Sequence, residues 1–380
     1  MLHIGIVAGE SSGDQLGGAL IDALRRREPD LRITAMAGPK MRAAGCEVIA
    51  GVDELSVMGL VEVVRNYPRL RRLRERIYDY YATARPDVFV GIDVPDFVMN
   101  IEARLHRTGI KAVHYVAPQT WAWRQSRAAG LADNIDLLLT LFPFEAKFFE
   151  QHGVTTTFVG HPVADRIPLR RDAIGERGRL GLDTERRYVA LMPGSRRQEL
   201  NRHVDLFLAT AQAVRRAEPD ISFVANAVTA EAAQFVSARA AACGLSLTVK
   251  TGESHAVLRA SDAALVASGT VTMEGLFAKT PLVVAYKLAP LSFSIMKRMV
   301  KVPFIAMPNL LEGDELVPEF LQGAAQPEPM AAALLAWLRD DAKVRRYEDR
   351  CTKHHQLLRR GAADVAAQRI LSVARAEEGR

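Results

Sequence analysis

The sequence predicts an α/β protein of two doubly wound, Rossmann-like domains facing a cleft, followed by a helical C-terminal tail. Three observations lead there. Short, almost wholly apolar runs recur along the chain, as strands buried on both faces of a parallel sheet do. Segments of helical period separate them, the alternation that builds βαβ units. The alternation runs twice, interrupted at 162–187 by a stretch rich in Arg, Asp and Gly, and 380 residues exceed what one core usually serves. The expected divisions are 1–165, a linker 166–187, a second domain 188–345, and a tail 346–380 able to pack back on the first domain.

The first series opens with a strand at Leu2–Ala8, a turn Ala8-Gly-Glu-Ser-Ser-Gly-Asp14 and a helix to about Arg27. A glycine-bearing strand-to-helix turn leaves backbone N–H groups free for a ligand. Glu10 in this turn reads either as a helix-start carboxylate or as a substrate contact. Gly-x-Gly-x-x-Gly is absent, and the second strand, Leu31–Ala37, ends in Gly38-Pro39 in place of a ribose-binding acid, which argues against NAD. At Val57–Tyr81 apolar residues lead to Pro68 and then to a helix whose Leu70, Leu73 and Ile77 share one face. Arg65, Arg69, Arg71, Arg72, Arg74 and Arg76 are interleaved. This is either an ordinary surface helix on a core or an interfacial element that dips apolar side chains into lipid while arginines meet phosphates. Leu70, Arg71, Arg72, Leu73 and Ile77 are its candidate membrane-facing residues.

Val88–Ile92 is a buried strand that ends on a carboxylate, Asp93, before Pro95 stops the ladder. Asp93 either caps the next helix, at about Phe97–Arg107, or acts on a ligand, since chemistry in open α/β sheets sits beyond the carboxyl ends of strands. A strand at Lys111–Val116 runs into Ala117-Pro-Gln-Thr-Trp-Ala-Trp-Arg-Gln-Ser-Arg127. This aromatic and guanidinium-rich loop suits a sugar or phosphate face and nominates Gln119, Trp121, Trp123 and Arg124. A strand Ile135–Leu141, a helix Pro143–Gln151 and a strand Thr156–Val159 follow. His161 in Gly160-His-Pro162 either holds a turn or lies at the site.

The second series has strands at Tyr188–Met192, Ile221–Ala225, Leu245–Lys250, Asp262–Ala267 and Leu282–Tyr286, with helices between them and another at about 290–301. Two of its loops look like anion sites. Pro193-Gly-Ser-Arg196 brings free amides, a hydroxyl and a guanidinium together at a helix start, which suits a diphosphate. Ser268-Gly-Thr270 repeats the device, and Glu274, four residues on, can accept from a ribose diol. Gly194, Ser195, Arg196, Ser268, Gly269, Thr270 and Glu274 are therefore nucleotide candidates. No ATPase P-loop motif and no Asp-x-Asp occurs, so diphosphate stabilisation without metal or other cofactor is favoured.

Composition is that of a soluble globular chain, 49% hydrophobic and 25% charged, with no apolar run near the ~20 residues of a membrane span. It opens on a strand with no leader-like segment, so a cytoplasmic location is expected. Cys46, Cys243 and Cys351 stand far apart and read as reduced thiols. Arginine supplies 40 of the 50 basic residues behind a formal charge of +6, but no nucleic-acid module accompanies it.

The segments Ala8–Asp14, Val90-Gly-Ile-Asp-Val-Pro-Asp-Phe97, Ala117–Gln125, Phe158-Val-Gly-His-Pro162, Pro193–Arg196, Ala267–Thr270 and Pro308-Asn-Leu-Leu311 together resemble the lipid-A-disaccharide synthase family, in order from end to end. The resemblance implies a GT-B glycosyltransferase fold. It implies transfer of 2,3-diacylglucosamine from its UDP conjugate to 2,3-diacylglucosamine 1-phosphate, forming a β(1→6) disaccharide 1-phosphate and UDP. It also implies work without metal at the cytoplasmic face of the Gram-negative inner membrane, with the lipid surface as partner, and a homodimer that exchanges C-terminal segments. By position it makes Asp93 the general base and puts Arg196 at the donor diphosphate. It associates Ser268, Gly269, Thr270, Glu274 and Asn309 with UDP and Glu10 with the N-terminal loop of the site. Two rivals share these features in part: a UDP-sugar 2-epimerase of the same fold, and a non-catalytic nucleotide-binding protein docked on the membrane.

Overall fold

The computed structural model describes residues 1–55, 60–123, 128–288 and 302–376. The chain forms two compact units, Met1–Asp165 with Leu358–Arg380, and Arg166–Leu357. In the first unit the strands are β1 (His3–Ala8), β2 (Arg32–Ala37), β3 (Glu47–Gly51), β4 (Val88–Ile92), β5 (Lys111–Tyr115), β6 (Leu137–Thr140) and β7 (Thr156–Phe158). They pair in parallel in the order β3-β2-β1-β4-β5-β6-β7. In the second unit β8 (Tyr188–Met192), β9 (Ser222–Ala227), β10 (Thr248–Thr251), β11 (Ala263–Ala267), β12 (Leu282–Tyr286) and β13 (Glu319–Leu321) pair in parallel as β10-β9-β8-β11-β12-β13. Strand order reverses between β1 and β4 and between β8 and β11. Those two switch points are where an open parallel sheet leaves room for a ligand.

Period-two burial explains the first sheet. Val88, Val90 and Ile92 join Ile4 and Ile6 on one face, packed under Leu20 and Leu24 of helix Ser11–Arg27 and under Ala366 and Ile370 of helix Ala362–Arg375. Val7 and Phe89 point to the other face, against Leu73, Ile77 and Tyr81 of helix Leu60–Ala84 and Val98 and Ile101 of helix Pro95–His106. The Tyr81 ring fits only because β1 carries Gly5, where a Cβ would lie 2.5 Å from the ring.

This packing corrects one expectation. Leu73 and Ile77, read as membrane-facing, are 5% and 1% exposed and lie in the core. With Tyr81 they form an i, i+4, i+8 stripe that the sheet covers, so water and lipid are both excluded from it. Leu70, one turn earlier, is half-buried, while Arg71 and Arg72 are exposed.

The tail expected from 346 onward divides at Leu358. Helix Asp341–Leu358 belongs to the second unit through Leu357, and helix Ala362–Arg375 completes the first. Asp165 caps the returning helix, accepting from Gly361 N–H at 2.8 Å and Ala362 N–H at 2.7 Å. The stretch read as linker contains helix Ala173–Arg179, anchored by Arg177, which donates to the Ala260 carbonyl at 2.9 Å and to Asp262 at 2.8 Å. The helix expected at 290–301 lies outside the described residues. No helix among those described is long and apolar enough to cross a membrane.

Candidate active site

At the first switch point β4 continues one residue past its apolar run. The Asp93 N–H donates to the Tyr115 carbonyl at 2.9 Å, and then Asp93 and Val94 both take left-handed backbone conformations, φ 57° and 46°. A β-branched residue at positive φ is strained, and such strain persists only where the surroundings impose it. Val94, not Asp93, occupies the cap position of helix Pro95–His106, and no side chain caps that helix. The Asp93 carboxylate instead accepts from Val94 N–H at 2.9 Å and from the Ser12 hydroxyl at 3.3 Å. The turn after β1 approaches closely because residue 9 is glycine; a Cβ there would lie 2.4 Å from Val94 Cγ2.

Two acidic residues of that turn differ in what they do. Glu10 is exposed at the cap position of helix Ser11–Arg27 and makes no capping bond. Asp14 is buried and accepts from Gly38, Lys40 and Met41 N–H groups at 2.9–3.0 Å, tying the turn to the start of helix Pro39–Ala43. Sequence reasoning missed Ser12 and Asp14. The signal for Asp14 was the unsatisfied helix start announced by Gly38-Pro39.

Beside Asp93 lies a cavity of ≈ 580 Å³ whose lining includes Asp93, Asp96, Asn100, Glu102, Gln119 and Phe149. Val116, the residue after β5, at φ 83°, lines it too. Beneath it Glu102 and His114 form a pair with no exposed side-chain surface, Oε1 to Nδ1 at 2.8 Å. Gly91 makes the space for it, since a Cβ there would lie 2.0 Å from Glu102 Oε1. Burial alone would lower the His114 pKa. The charges of Glu102 and Asp93, with the Glu102 hydrogen bond, outweigh it and hold the imidazole above its usual range.

Of the aromatic loop, Trp121 is half-buried and edge-on to Phe144 at 4.9 Å. Glu145 accepts from the Leu141 and Phe142 N–H groups at 3.2 and 3.1 Å, yet burial dominates and its pKa is pushed up to about 8. Gln119 is exposed at the cavity. The Trp123 side chain and all of Arg124 lie outside the described residues. His161 is buried 5.4 Å from the Phe142 ring, and its Nδ1 accepts from Val163 N–H at 3.2 Å, so it holds the start of helix Pro162–Arg166.

The second unit places its candidates at the β8/β11 switch point. Gly194 takes φ 125°, and the following Ser195 and Arg196 N–H groups donate to Glu199 Oε2 at 2.9 and 3.2 Å. The amides expected to meet a diphosphate are thus occupied by the chain's own carboxylate. The Arg196 side chain is 72% exposed and 3.6 Å from Glu199. After β11 the cap position of helix Thr270–Ala278 belongs to Gly269, φ 146°, with no side-chain cap. The hydroxyl cap expected of Ser268 is not made. Glu274 accepts from the Ser254 hydroxyl and lies 3.5 Å from His255 Nε2. Burial would raise its pKa, but His255, Ser254 and the Arg166 charge outweigh it and hold the carboxyl below its usual range.

Asn309, expected at the nucleotide, is a correction. It is fully buried; its Nδ2 donates to the Val317 carbonyl and Glu319 at 2.8 Å, and its Oδ1 accepts from Leu316 and Val317 N–H groups at 2.8 Å. Its hydrogen-bonding capacity is filled inside the fold. Among the described residues no group of three or more His, Cys, Asp or Glu side chains is arranged to hold a metal ion.

The family described as Lipid-A-disaccharide synthetase matches residues 4–373. A lipid-A-disaccharide synthase of Pseudomonas aeruginosa (strain UCBPP-PA14) is 45% identical over 376 residues, 98% of either chain. One from Pseudomonas syringae pv. syringae (strain B728a) is 46% identical over 372 residues, 98% of this chain and 97% of its own. Among solved structures, the calicheamicin glycosyltransferase CalG4 superposes with TM-score 0.61 at 18% identity, covering 98% of both chains. A putative UDP-N-acetylglucosamine 2-epimerase from Listeria monocytogenes gives 0.62 at 14%, covering 98% of this chain and 95% of the other. These two likenesses show a shared GT-B architecture and nothing narrower.

Proposed function

The chain belongs to the lipid-A-disaccharide synthase family, and from that premise we propose which of its residues carry the reaction. It is a hexosyltransferase that moves 2,3-diacylglucosamine from UDP-2,3-diacylglucosamine to the 6-hydroxyl of 2,3-diacylglucosamine 1-phosphate, with inversion. Asp93 takes the proton of the attacking hydroxyl. One displacement with one base inverts the anomeric centre and needs no carboxylate nucleophile. Arg196 and the uncapped helix start at Gly269 and Thr270 stabilise the departing diphosphate, and no metal or other cofactor takes part. Glu274, with Ser254 and His255 beside it, receives the ribose. Glu10, Gln119 and Trp121 serve the acceptor side.

The observation that carries this reading is the Asp93 carboxylate: beyond the last residue of β4, on strained backbone, oriented by Ser12 and bordering the ≈ 580 Å³ cavity. The exposed arginines Arg71 and Arg72, with Tyr67 57% exposed on the same helix, support docking on an anionic lipid surface, here the cytoplasmic face of the inner membrane. The reading extends to a homodimer that exchanges C-terminal segments, which rests on the family alone.

Asp93→Asn tests the reading. We expect turnover to fall about a thousandfold or more while UDP affinity stays within about twofold. Turnover within tenfold of the wild type removes Asp93 as the base. UDP release must also depend on the acylated acceptor; sugar epimerisation without acceptor would support the 2-epimerase rival.

A further inference from the structure

The cavity beside Asp93 contains a feature that general-base chemistry leaves unused. Glu102 lines it, and its side chain has no exposed surface. One oxygen, Oε1, is held by His114 at 2.8 Å, while the other, Oε2, is buried without a hydrogen-bond partner among the described residues. Leaving a buried carboxylate oxygen unpaired is costly, and the cost falls away when a donor enters. Gly91 is what admits this carboxylate, and His114, buried opposite it, fixes its other oxygen.

The acceptor offers few hydroxyls. Its ring positions 2 and 3 are acylated and position 1 is phosphorylated, so the ring sugar keeps free hydroxyls only at 4 and 6. The 6-hydroxyl goes to Asp93. The 4-hydroxyl is attached next to the carbon that bears the reacting arm, whereas the 2-amide lies across the ring. For a ring seated in a cavity bordered by both Asp93 and Glu102, with its 6-hydroxyl at Asp93, the 4-hydroxyl is the neighbouring hydroxyl left to meet the second carboxylate.

We propose that Glu102, oriented by His114, is a specificity-determining residue that accepts a hydrogen bond from the acceptor's 4-hydroxyl through Oε2. The inference rests on the glycosyl-transfer reading and names the acceptor group its first unit recognises. Glu102 reads the ring on the side next to the reacting carbon, so a 4-deoxy acceptor leaves Oε2 unpaired and the 6-hydroxyl poorly held.

The test compares the native acceptor with its 4-deoxy analogue on the wild type, Glu102→Gln and Glu102→Asp, following UDP release and, separately, UDP binding. In the wild type we expect kcat/KM for the 4-deoxy acceptor to be lower by about 30-fold or more. Both variants should treat the two acceptors alike within about threefold and bind UDP as the wild type does. Glu102→Asp keeps the charge opposite His114, so it decides the matter if Glu102→Gln does not fold. Equal turnover of both acceptors by the wild type, or undiminished discrimination in either folded variant, overturns the assignment of Glu102 alone. Absence of any acceptor-dependent UDP release from the wild type overturns the glycosyl-transfer reading and this proposal together.

Discussion

At the end of β4 the chain commits backbone strain, a buried carboxylate–imidazole pair and a glycine to the surroundings of one carboxylate. At the ends of β8 and β11 it presents exposed loops, one closed on its own Glu199 and the other capped by a bare glycine. Glu102 and His114 are held by burial, and Asp93 by its backbone conformation and the bonds from Ser12 and the Val94 N–H. The Ser195 and Arg196 amides are satisfied from within by Glu199. On the proposed reading the first region is preorganised for chemistry, and the second takes a nucleotide diphosphate by exchanging one anion for another.

Breaking the first region should have the largest effect on stability. Gly91→Ala drives a Cβ to 2.0 Å from Glu102 Oε1 and 2.1 Å from Val98 Cγ1. We expect a loss of about 3–5 kcal/mol from overpacking and the broken pair, read by denaturant unfolding. A loss below about 1 kcal/mol would show that Glu102 can be relocated cheaply and that the region is not rigid.

Glu145→Gln examines the same rigidity with pH. The folded-state pKa of Glu145 is raised to about 8, so its contribution is intact below the unfolded-state value, about 4.3, and is lost as pH rises through about 8. The variant should match the wild type near pH 4 and be more stable above pH 8 by about 2–4 kcal/mol, with a flatter thermal-midpoint profile. Parallel profiles would place the proton elsewhere.

Arg196→Ala probes the second region and should leave stability within about 0.5 kcal/mol, since the side chain is 72% exposed. UDP binding should weaken by about 10–100-fold and uridine binding by less than threefold, measured by calorimetry. Equal losses for both ligands would remove the guanidinium from the diphosphate and make the two regions less different than they look.

The sequence and the structure agree where information is local. Val88–Ile92 and Tyr188–Met192 are apolar on both faces and could only be interior parallel strands. The edge strands β3 and β13 were not legible: Glu47 and Val48 are exposed, and β13 is three half-buried residues, so neither carries a buried run. The turns after β1, β4, β8 and β11 were legible as punctuation, and the fold gathers them in pairs at the two switch points.

By itself, then, the sequence determined two series of buried parallel strands, the polar loops that end them and the family they resemble, because each is written within a few neighbouring residues. Only the tertiary structure decided what covers each stripe and what satisfies each polar group. It turned Leu73 and Ile77 inward onto the sheet, filled every hydrogen-bonding position of Asn309 and sent helix Ala362–Arg375 back to the first unit. It also set Glu102 against His114 beneath Asp93, with one oxygen left over. The physical reason is the same throughout: burial and hydrogen-bond satisfaction are settled by partners distant in sequence, and a residue's own neighbours do not reveal them.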